Sequence, residues 1–309
     1  PTLGTSNVRF GVNAGNSIES GGNYNTVVGD EAGTAITTGD GNVAVGYASL
    51  DANTTADNNT AVGYIALGGN TSGTNNVAIG RSALQLNTTG QYSTGVGYQA
   101  LLFNTTGSNN TANGMQALYA NTTAADNTAV GYQAGYSNTT GTRGTYLGKG
   151  AGYTNATSGD DTAVGYNALY TNTGGANTAV GSQALTLNTT GAWNSGLGYG
   201  VLRANTSGDN NVAVGANALD ANTTADNNTA VGFDALTDNT TGDENNAIGG
   251  GALANNTTGV DNDAQGYHAL FDNTTGSSNV AMGNRALATN TTADNNTAVG
   301  KTALAANTT

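Results

Sequence analysis

A glycine recurs at almost constant spacing along the whole chain, and this repeat constrains the fold more than any other feature. It ends the pattern Asn-Thr-Ala-Val-Gly, and successive copies lie 17 residues apart, except for 18 at the first step and 16 between Gly165 and Gly181. A short and constant period is typical of solenoids, in which each repeat forms one coil that stacks on its neighbours. The eighteen repeat glycines are Gly11, Gly29, Gly46, Gly63, Gly80, Gly97, Gly114, Gly131, Gly148, Gly165, Gly181, Gly198, Gly215, Gly232, Gly249, Gly266, Gly283 and Gly300.

The remaining positions of the repeat predict its secondary structure. Ala stands three positions after the repeat glycine in sixteen repeats, and Leu stands four positions after it in fourteen. Both length changes fall between that Leu (or Gly) and the next Asn, which marks a turn, because strands tolerate insertions poorly. We therefore expect two short strands in each coil, one in Asn-Thr-Ala-Val and one containing Ala-Leu. The repeat glycine is expected where the chain bends or where backbones approach closely.

The fold predicted from this pattern is all-β: a parallel β-solenoid, or β-roll, of about 18 coils with 17 residues in each coil. We expect a single tandem-repeat domain over residues 1–309, in which residues 1–6 form a short lead-in outside the repeats. Composition agrees with this fold, since the 48 Gly and the abundant Asn and Thr are poor helix formers.

Both faces of the predicted first strand are apolar or small. The Val before the repeat glycine shares a face with the Thr or Val two positions earlier, and the Ala between them points to the other face. Strands that are apolar on both faces are usually covered on both. The second face is therefore expected to lie against the opposite wall of a thin coil, against another chain, or both. We favour both, with identical chains side by side as a trimer; a monomer with a thin coil is the alternative.

Two repeats carry an amide where the others carry an apolar residue, most often Val. They are Asn113 and Gln265, and a buried amide is unfavourable unless it is hydrogen-bonded. We expect these side chains to bond to backbone or to water in an axial channel, and an ion site there is the less favoured option.

Charge and composition exclude several classes of function. Twenty acidic residues stand against seven basic ones, which argues against nucleic acid and anionic membranes as partners. No run of about 18 apolar residues is present, so we expect no membrane insertion. The absence of Cys removes disulfides, thiolate metal ligands and Cys nucleophiles.

The repeats resemble those of two groups of surface proteins. Residues 42–46, 76–80 and 211–215 are similar to the short head repeats of trimeric autotransporter adhesins. The longer pattern in residues 127–134 and 138–141 is similar to tandem repeats of bacterial and phage tail-fibre-like surface proteins. The resemblance implies a left-handed β-roll, trimerisation and an extracellular, cell-surface or virion-fibre location. The present repeat is longer than the adhesin-head repeat, so the turn geometry of those heads is not implied.

The Asn-Thr-Thr corners contain N-x-[ST] triplets, for which two roles are open. Such triplets accept glycans in a suitable secretory route, or their stacked side chains form hydrogen-bonded ladders along a corner. Asn172 keeps its place although its triplet has lost the second hydroxyl residue, which favours the ladder. The candidate glycan-carrying or corner-ladder residues are Asn53, Asn70, Asn87, Asn104, Asn121, Asn138, Asn188, Asn222, Asn239, Asn273 and Asn290, and the same triplet occurs at Asn155, Asn205, Asn256 and Asn307.

Aromatic side chains recur directly after the repeat glycine. Aromatics repeated along a solenoid stack on one another, which is the commoner outcome, or on sugars. The candidate stacking or glycan-binding residues are Tyr47, Tyr64, Tyr98, Tyr132, Tyr166, Tyr199 and Tyr267, with Phe233 in the same position.

No residue pattern supports catalysis, a metal or a cofactor. The single histidine, His268, has no repeat-invariant carboxylate or Ser beside it that could orient it as a base. Acidic clusters at Asp30–Glu31, Asp160–Asp161, Asp243–Glu244 and 261–263 are expected to be solvated turns, and the last of them does not match the repeat of calcium-binding β-rolls. The Thr-rich repeats suggest ice binding as a further function. That function needs a flat, uninterrupted array of Thr, and the variable Thr position in these repeats disfavours it.

The sequence therefore predicts a non-catalytic structural fibre or filament subunit with an adhesive role in surface attachment, cell–cell contact or biofilm. Its main partner is expected to be itself, as a side-by-side trimer or a head-to-tail filament. The alternative function is a carbohydrate-binding adhesin or a tail-fibre shaft module, with cell-surface glycans as partners.

Overall fold

The computed structural model describes residues 4–308, and in this part of the chain all regular structure is β. It contains eighteen strands of three residues, one in each repeat, and no helix. The chain divides after Gly159 into two compact units. The first unit contains β1 (Val8–Phe10), β2 (Thr26–Val28), β3 (Val43–Val45), β4 (Thr60–Val62), β5 (Val77–Ile79), β6 (Thr94–Val96), β7 (Thr111–Asn113), β8 (Thr128–Val130) and β9 (Thr145–Leu147). The second contains β10 (Thr162–Val164), β11 (Thr178–Val180), β12 (Ser195–Leu197), β13 (Val212–Val214), β14 (Thr229–Val231), β15 (Asn246–Ile248), β16 (Asp263–Gln265), β17 (Val280–Met282) and β18 (Thr297–Val299).

Within each unit, nine strands pair in chain order and all are parallel. The register follows the repeat, so that Thr111 of β7 pairs with Thr128 of β8. The register holds even across the 16-residue step, where Thr162 pairs with Thr178, because the missing residue lies outside the strands. The predicted all-β parallel β-solenoid with about 17 residues in each coil is confirmed, and so is the position of the length changes in a turn. Residues 1–3 of the predicted lead-in lie outside the described residues.

In β2 to β18 the middle residue of the strand points inward. Ala61, Ala112 and Ala230 are 0% exposed, whereas the residues on either side of them are half-buried or exposed. The interior is completed by the Ala and Leu that follow the repeat glycine, such as Ala66 and Leu67, which are also 0% exposed. A coil of only 17 residues leaves little internal space, and this explains why Ala occupies the inward position of most strands.

The predicted second strand is wrong, because the Ala-Leu segment forms a turn. Leu67 has a φ of 50° and Ile65 has a φ of 54°, which place both residues in the left-handed conformation. This conformation costs about 1–2 kcal/mol for a residue with a Cβ. For the two residues together the cost is about 2–4 kcal/mol, and burial of the leucine side chain offsets most of it, with about 1.5–3 kcal/mol. The strand propensity of the segment is therefore overridden by the need to close the coil and bury Leu.

The repeat glycine has both of the roles predicted for it. Gly114 has a φ of 140°, outside the range that residues with a side chain normally adopt. A Cβ built on Gly131 would lie 2.6 Å from the carbonyl oxygen of Gly148 in the next coil. The chain bends at this position, and successive backbones are in close contact there.

The expectation that Asn113 and Gln265 are buried is wrong. Both belong to the outward rows of their strands, where Asn113 is exposed and Gln265 is half-buried. The Gln265 amide Nε2 donates a hydrogen bond of 3.1 Å to Asp263 Oδ1 on the same face. Because the inward position is the Ala between the two rows, neither amide needs a partner in the interior, and the reason for an ion site there is removed.

Candidate functional surfaces

The asparagines of the Asn-Thr-Thr corners, called the corner asparagines below, line the interior of the coil. Asn121 Nδ2 donates to Asn104 Oδ1 at 2.7 Å and to the carbonyl oxygen of Ala124 at 3.0 Å. Asn138 Nδ2 in turn donates to Asn121 Oδ1 at 3.0 Å. These side chains therefore form a hydrogen-bonded ladder from coil to coil. The corner asparagines with 0% exposure are Asn53, Asn70, Asn87, Asn104, Asn121, Asn138, Asn155, Asn172, Asn188, Asn205, Asn222, Asn239, Asn256, Asn273 and Asn290.

A second asparagine row, which sequence reasoning did not single out as a ladder, lies just before each strand. Asn59 Oδ1 accepts the backbone N–H of Asn76 at 3.0 Å, and Asn59 Nδ2 donates to the carbonyl oxygen of Gly73 at 2.9 Å. Asp161 replaces asparagine in this row, and its Oδ1 accepts the N–H of Asn177 at 2.8 Å. The fixed place of this Asn four residues before the repeat glycine was the available signal. The two rows together satisfy backbone groups that the turns leave unpaired.

The burial of the corner asparagines bears on their predicted role as glycan acceptors. A glycan is attached to Nδ2, and in the folded chain this atom is inaccessible and takes part in two hydrogen bonds, as at Asn121. The chain also contains exposed N-x-Thr triplets that sequence reasoning overlooked, immediately before strands. Their asparagines are Asn58, Asn109, Asn227 and Asn295.

We expect the folded chain, presented to an oligosaccharyltransferase, to accept glycans at Asn58, Asn109, Asn227 or Asn295 and at none of the corner asparagines with 0% exposure. Peptide mass spectrometry locates the modified residues. The matched control is the unfolded chain, in which both kinds of triplet are accessible and both are expected to react. A glycan on Asn121 of the folded chain would contradict this prediction.

The side chains that directly follow the repeat glycines, called the aromatic row below, lie at the surface. Tyr47 and Tyr64 are each 47% exposed, and their rings stack with centroids 5.3 Å apart and an interplanar angle of 17°. Beyond Tyr64 the aromatics occupy every second coil, and other residues lie between them. Arg81 lies between two of them, with its guanidinium carbon 5.5 Å from the Tyr64 ring centroid and 5.9 Å from that of Tyr98. Arg81 therefore occupies the space between the Tyr64 and Tyr98 rings, and these two side chains remain 47% and 40% exposed.

A second group of tyrosines, missed by sequence reasoning, forms a closer stack. The Tyr119 and Tyr136 rings are 4.9 Å apart, those of Tyr136 and Tyr153 are 5.0 Å apart, and both pairs are nearly parallel. Partial burial and the neighbouring Tyr119 and Tyr153 raise the pKa of Tyr136 above its ordinary value. These tyrosines stand five positions after successive repeat glycines, so their shared register was the available signal. Stacked on one another, they stabilise neighbouring coils and leave little ring surface free.

His268 is half-buried and packs against neighbouring rings. Its imidazole stacks between the rings of Tyr267, at a centroid distance of 3.9 Å, and Phe271, at 4.3 Å. We call these three residues the ring stack. A groove of about 390 Å³ separates the ring stack from Phe233, two coils earlier. A second groove of about 470 Å³ lies on the other side of His268 and Phe271, next to Arg285.

The acidic clusters mainly take part in turn structure. Asp243 Oδ1 accepts the backbone N–H of Asp226 at 2.8 Å. A side-chain hydrogen bond with Asp261, together with the charge of Asp261, raises the pKa of Glu244. Over residues 4–308, no three His, Cys, Asp or Glu side chains are grouped so that they could hold a metal ion. In the same range, no helix has the length and apolar character needed to cross a membrane.

These observations define the chain as a tandem-repeat, parallel β-solenoid of the kind that fits a fibre-like protein. Compared with protein-family models and with curated protein sequences, it matches none significantly. The function is therefore argued from the surfaces of the solenoid alone.

Proposed function

We propose that the chain is a non-catalytic, structural fibre subunit that associates with further copies of itself outside the cell, on the cell surface or in a virion fibre, and that contributes to adhesion. The observation that carries the proposal is the outward face of the strands. One outward row carries Val or another apolar residue in every coil except those of Asn113 and Gln265, the other row is mostly Thr and Val, and no other part of the same unit covers them.

The exposure of large apolar side chains on this face supports the proposal. In the first unit Ile79 is 41% exposed and Leu147 is 47% exposed, and in the second unit Leu197 reaches 52%. The two outward rows of residues 8–147 contain no charged residue, and those of residues 162–299 contain only Asp263. Strands that are apolar on both faces are usually covered on both.

The extent of the face also favours a partner. Nine strands at a spacing of about 4.8 Å, each three residues wide, give each unit an outward face on the order of 400 Å². This area is comparable to the largest apolar patch of a typical monomer, about 300–600 Å², and such patches are often functional. Solenoid units without such a partner would be prone to nonspecific association.

The partner that best fits this face is a second copy of the chain. Its rows repeat at the same strand spacing, so two copies match along their whole length, whereas a surface of another period soon loses register. A shallow apolar depression of about 170 Å³ around Gly196, bordered by Val180 and Leu197, could receive a side chain from the second copy. Side-by-side association as a trimer is the arrangement we propose, and a head-to-tail filament is the alternative.

The double variant Val231→Glu, Ile248→Glu tests this face. A buried carboxylate without a partner is strongly unfavourable in an interface. We therefore expect the concentration at which the chain assembles to rise at least tenfold, measured by analytical ultracentrifugation and by electron microscopy. The control is Thr241→Glu, Thr258→Glu, which adds the same charge in neighbouring coils at exposed corner positions. A wild-type chain that remains monomeric at all accessible concentrations would contradict the proposal.

The second candidate function is binding of cell-surface glycans by the aromatic row. It is favoured by the exposure of the side chains of Tyr47, Tyr64, Tyr98 and Tyr132, which are 40–47% exposed in the first unit. The C–H groups of a sugar carry partial positive charge and can stack on the negative face of an aromatic ring. A glycan array would test it: saturable binding by the wild type that is lost in Tyr64→Ala, Tyr98→Ala supports a carbohydrate-binding adhesin.

A further inference from the structure

One coil of the second unit lacks side chains where its neighbours carry rings. In this coil the residues one, two and five positions after the repeat glycine are Gly250, Gly251 and Ala254. The preceding coil has Phe233 in the first of these positions, and the following coil has the ring stack of Tyr267, His268 and Phe271 in all three. The result is a groove of about 390 Å³ with an aromatic wall on each side.

The ring stack depends on the glycines beneath it. A Cβ on Gly251 would lie 2.6 Å from His268 Cδ2 and 3.4 Å from Phe271 Cδ2. A Cβ on Gly250 would lie 3.5 Å from Tyr267 Cδ2, which is ordinary van der Waals contact. Gly251 therefore allows the imidazole and phenyl rings to lean over the coil. Gly250 forms the open floor of the groove, and a side chain placed there would fill the groove without disturbing the wall.

The opposite wall and the rim have the groups that a ligand would use. Phe233 is 63% exposed, so its ring faces solvent and is available for stacking. Asp234 and Asn255 line the same groove and supply a carboxylate and an amide. The volume lies within the range of small-molecule sites, about 300–1,000 Å³, which are mostly apolar with a few polar groups.

We propose that this groove binds a neutral pyranose unit of a glycan chain, held between Phe233 and Tyr267. The rings contact the apolar C–H faces of the pyranose, and Asp234 and Asn255 bind its hydroxyl groups. The net charge of −13 disfavours anionic ligands such as nucleotides or acidic sugars. The second groove, beyond the ring stack and next to Asp272 and Arg285, extends the site along the solenoid for a further sugar.

This inference rests on the second candidate function, glycan binding, and is independent of fibre formation. It differs from binding along the aromatic row in general, because it assigns the ligand to one groove. The two ideas therefore make different predictions for variants in the two units.

The test uses the purified 309-residue chain and three neutral oligosaccharides: cellohexaose, chitohexaose and maltohexaose. His268 is the single histidine and Trp193 the single tryptophan, so each gives one assignable set of ring signals by NMR. We expect at least one of the sugars to shift the His268 ring signals saturably. The indole N–H signal of Trp193, which lies outside both grooves, is expected to remain unchanged.

Variants of the groove complete the test. Gly250→Gln, which fills the floor, and Phe233→Ala, which removes one wall, are each expected to weaken binding at least tenfold. Asn284→Gln is the matched control, since it places the same side chain in the aromatic row two coils later, where it lines neither groove, and its affinity is expected to match the wild type.

Two outcomes would overturn the inference and are distinguishable. If binding survives Gly250→Gln but is lost in Tyr64→Ala, the groove is not the site while glycan binding by the aromatic row stands. If no sugar shifts the His268 signals of the wild type at millimolar concentration and no glycan on the array binds, both the groove site and the second candidate function are refuted.

Discussion

The variant Tyr146→Ala is expected to lower the free energy of unfolding by about 3–5 kcal/mol, the range found when large buried aromatic side chains are truncated. Tyr146 takes the inward position of β9, which Ala holds in most repeats, and it is 0% exposed. Its hydroxyl oxygen accepts a hydrogen bond of 3.0 Å from Asn155 Nδ2. Truncation therefore creates a cavity and also removes this buried hydrogen bond. Chemical denaturation followed by circular dichroism measures the change.

The surroundings of Tyr146 explain why one coil can hold so large a ring. Gly135 and Gly152 replace the usual Leu, and Gly144 replaces the usual Asn before the strand. A Cβ on Gly135 would lie 2.8 Å from the ring Cδ2, and a Cβ on either of the other two glycines would overlap the tyrosine. The ladder of corner asparagines is also interrupted here, since Asn138 Oδ1 accepts no hydrogen bond from the described residues.

Restoring the common pattern is expected to recover most of the lost stability. The matched variant combines Tyr146→Ala with Gly135→Leu, Gly144→Asn and Gly152→Leu. Gly135 and Gly152 each have a φ of 60°, close to the 48° of Leu118 in the same position of another coil, so Leu is compatible with the backbone. If this variant is no more stable than Tyr146→Ala alone, the proposed exchange of volume between these positions is wrong.

The second large effect is expected at the repeat glycines. We expect Gly283→Ala to reduce the free energy of unfolding by about 3 kcal/mol or more, because overpacking adds to backbone strain. A Cβ at this position would lie 2.6 Å from the carbonyl carbon and oxygen of Gly300 in the next coil, and both are backbone atoms that cannot move aside separately. The φ of 131° adds conformational strain for any residue with a side chain.

The variant Gly300→Ala separates the contribution of backbone strain from that of the contact between coils. Gly300 has a similar φ of 124°, but a Cβ there would have its nearest neighbour only 4.0 Å away. We expect a loss of about 1–2 kcal/mol, from strain alone. Thermal and chemical denaturation of the two variants give the comparison. Equal losses in both variants would show that contact between coils contributes nothing at this position.

Several irregularities of the repeat are understandable only from the packed interior. Val27 occupies the inward position of β2, where Ala is usual, and Gly33 stands where Leu is usual. A Cβ on Gly33 would lie 2.8 Å from Val27 Cγ1 and 2.7 Å from Ile36 Cδ1. In β12 the exchange is reversed: Gly196 takes the inward position and Val201 replaces the Ala that follows the repeat glycine. Both exchanges of side-chain volume follow the rule that cores tolerate substitutions that conserve the total volume.

The candidate surfaces were predictable to different degrees. The corner asparagines and the aromatic row were visible as fixed positions in the repeat. In the structure the corner asparagines form a hydrogen-bonded ladder. The groove beside Phe233 was not visible, because it arises from three small residues, Gly250, Gly251 and Ala254, that matter only beside the rings of the adjacent coils. Such a site depends on which residues of different coils become neighbours.

The sequence by itself determined the period, the parallel stacking, the position of the length changes and the role of the repeat glycine, because all of these follow from a spacing that is local and repeated. Only the tertiary structure decided that Ala112 points inward while Thr111 and Asn113 point outward, and that the Ala-Leu segment is a turn. Alternation along a strand defines two faces without saying which one is buried. That choice is made when the coil closes, because the narrow interior has room for Ala at the middle of the strand, and for a larger side chain at that position only where glycines make space.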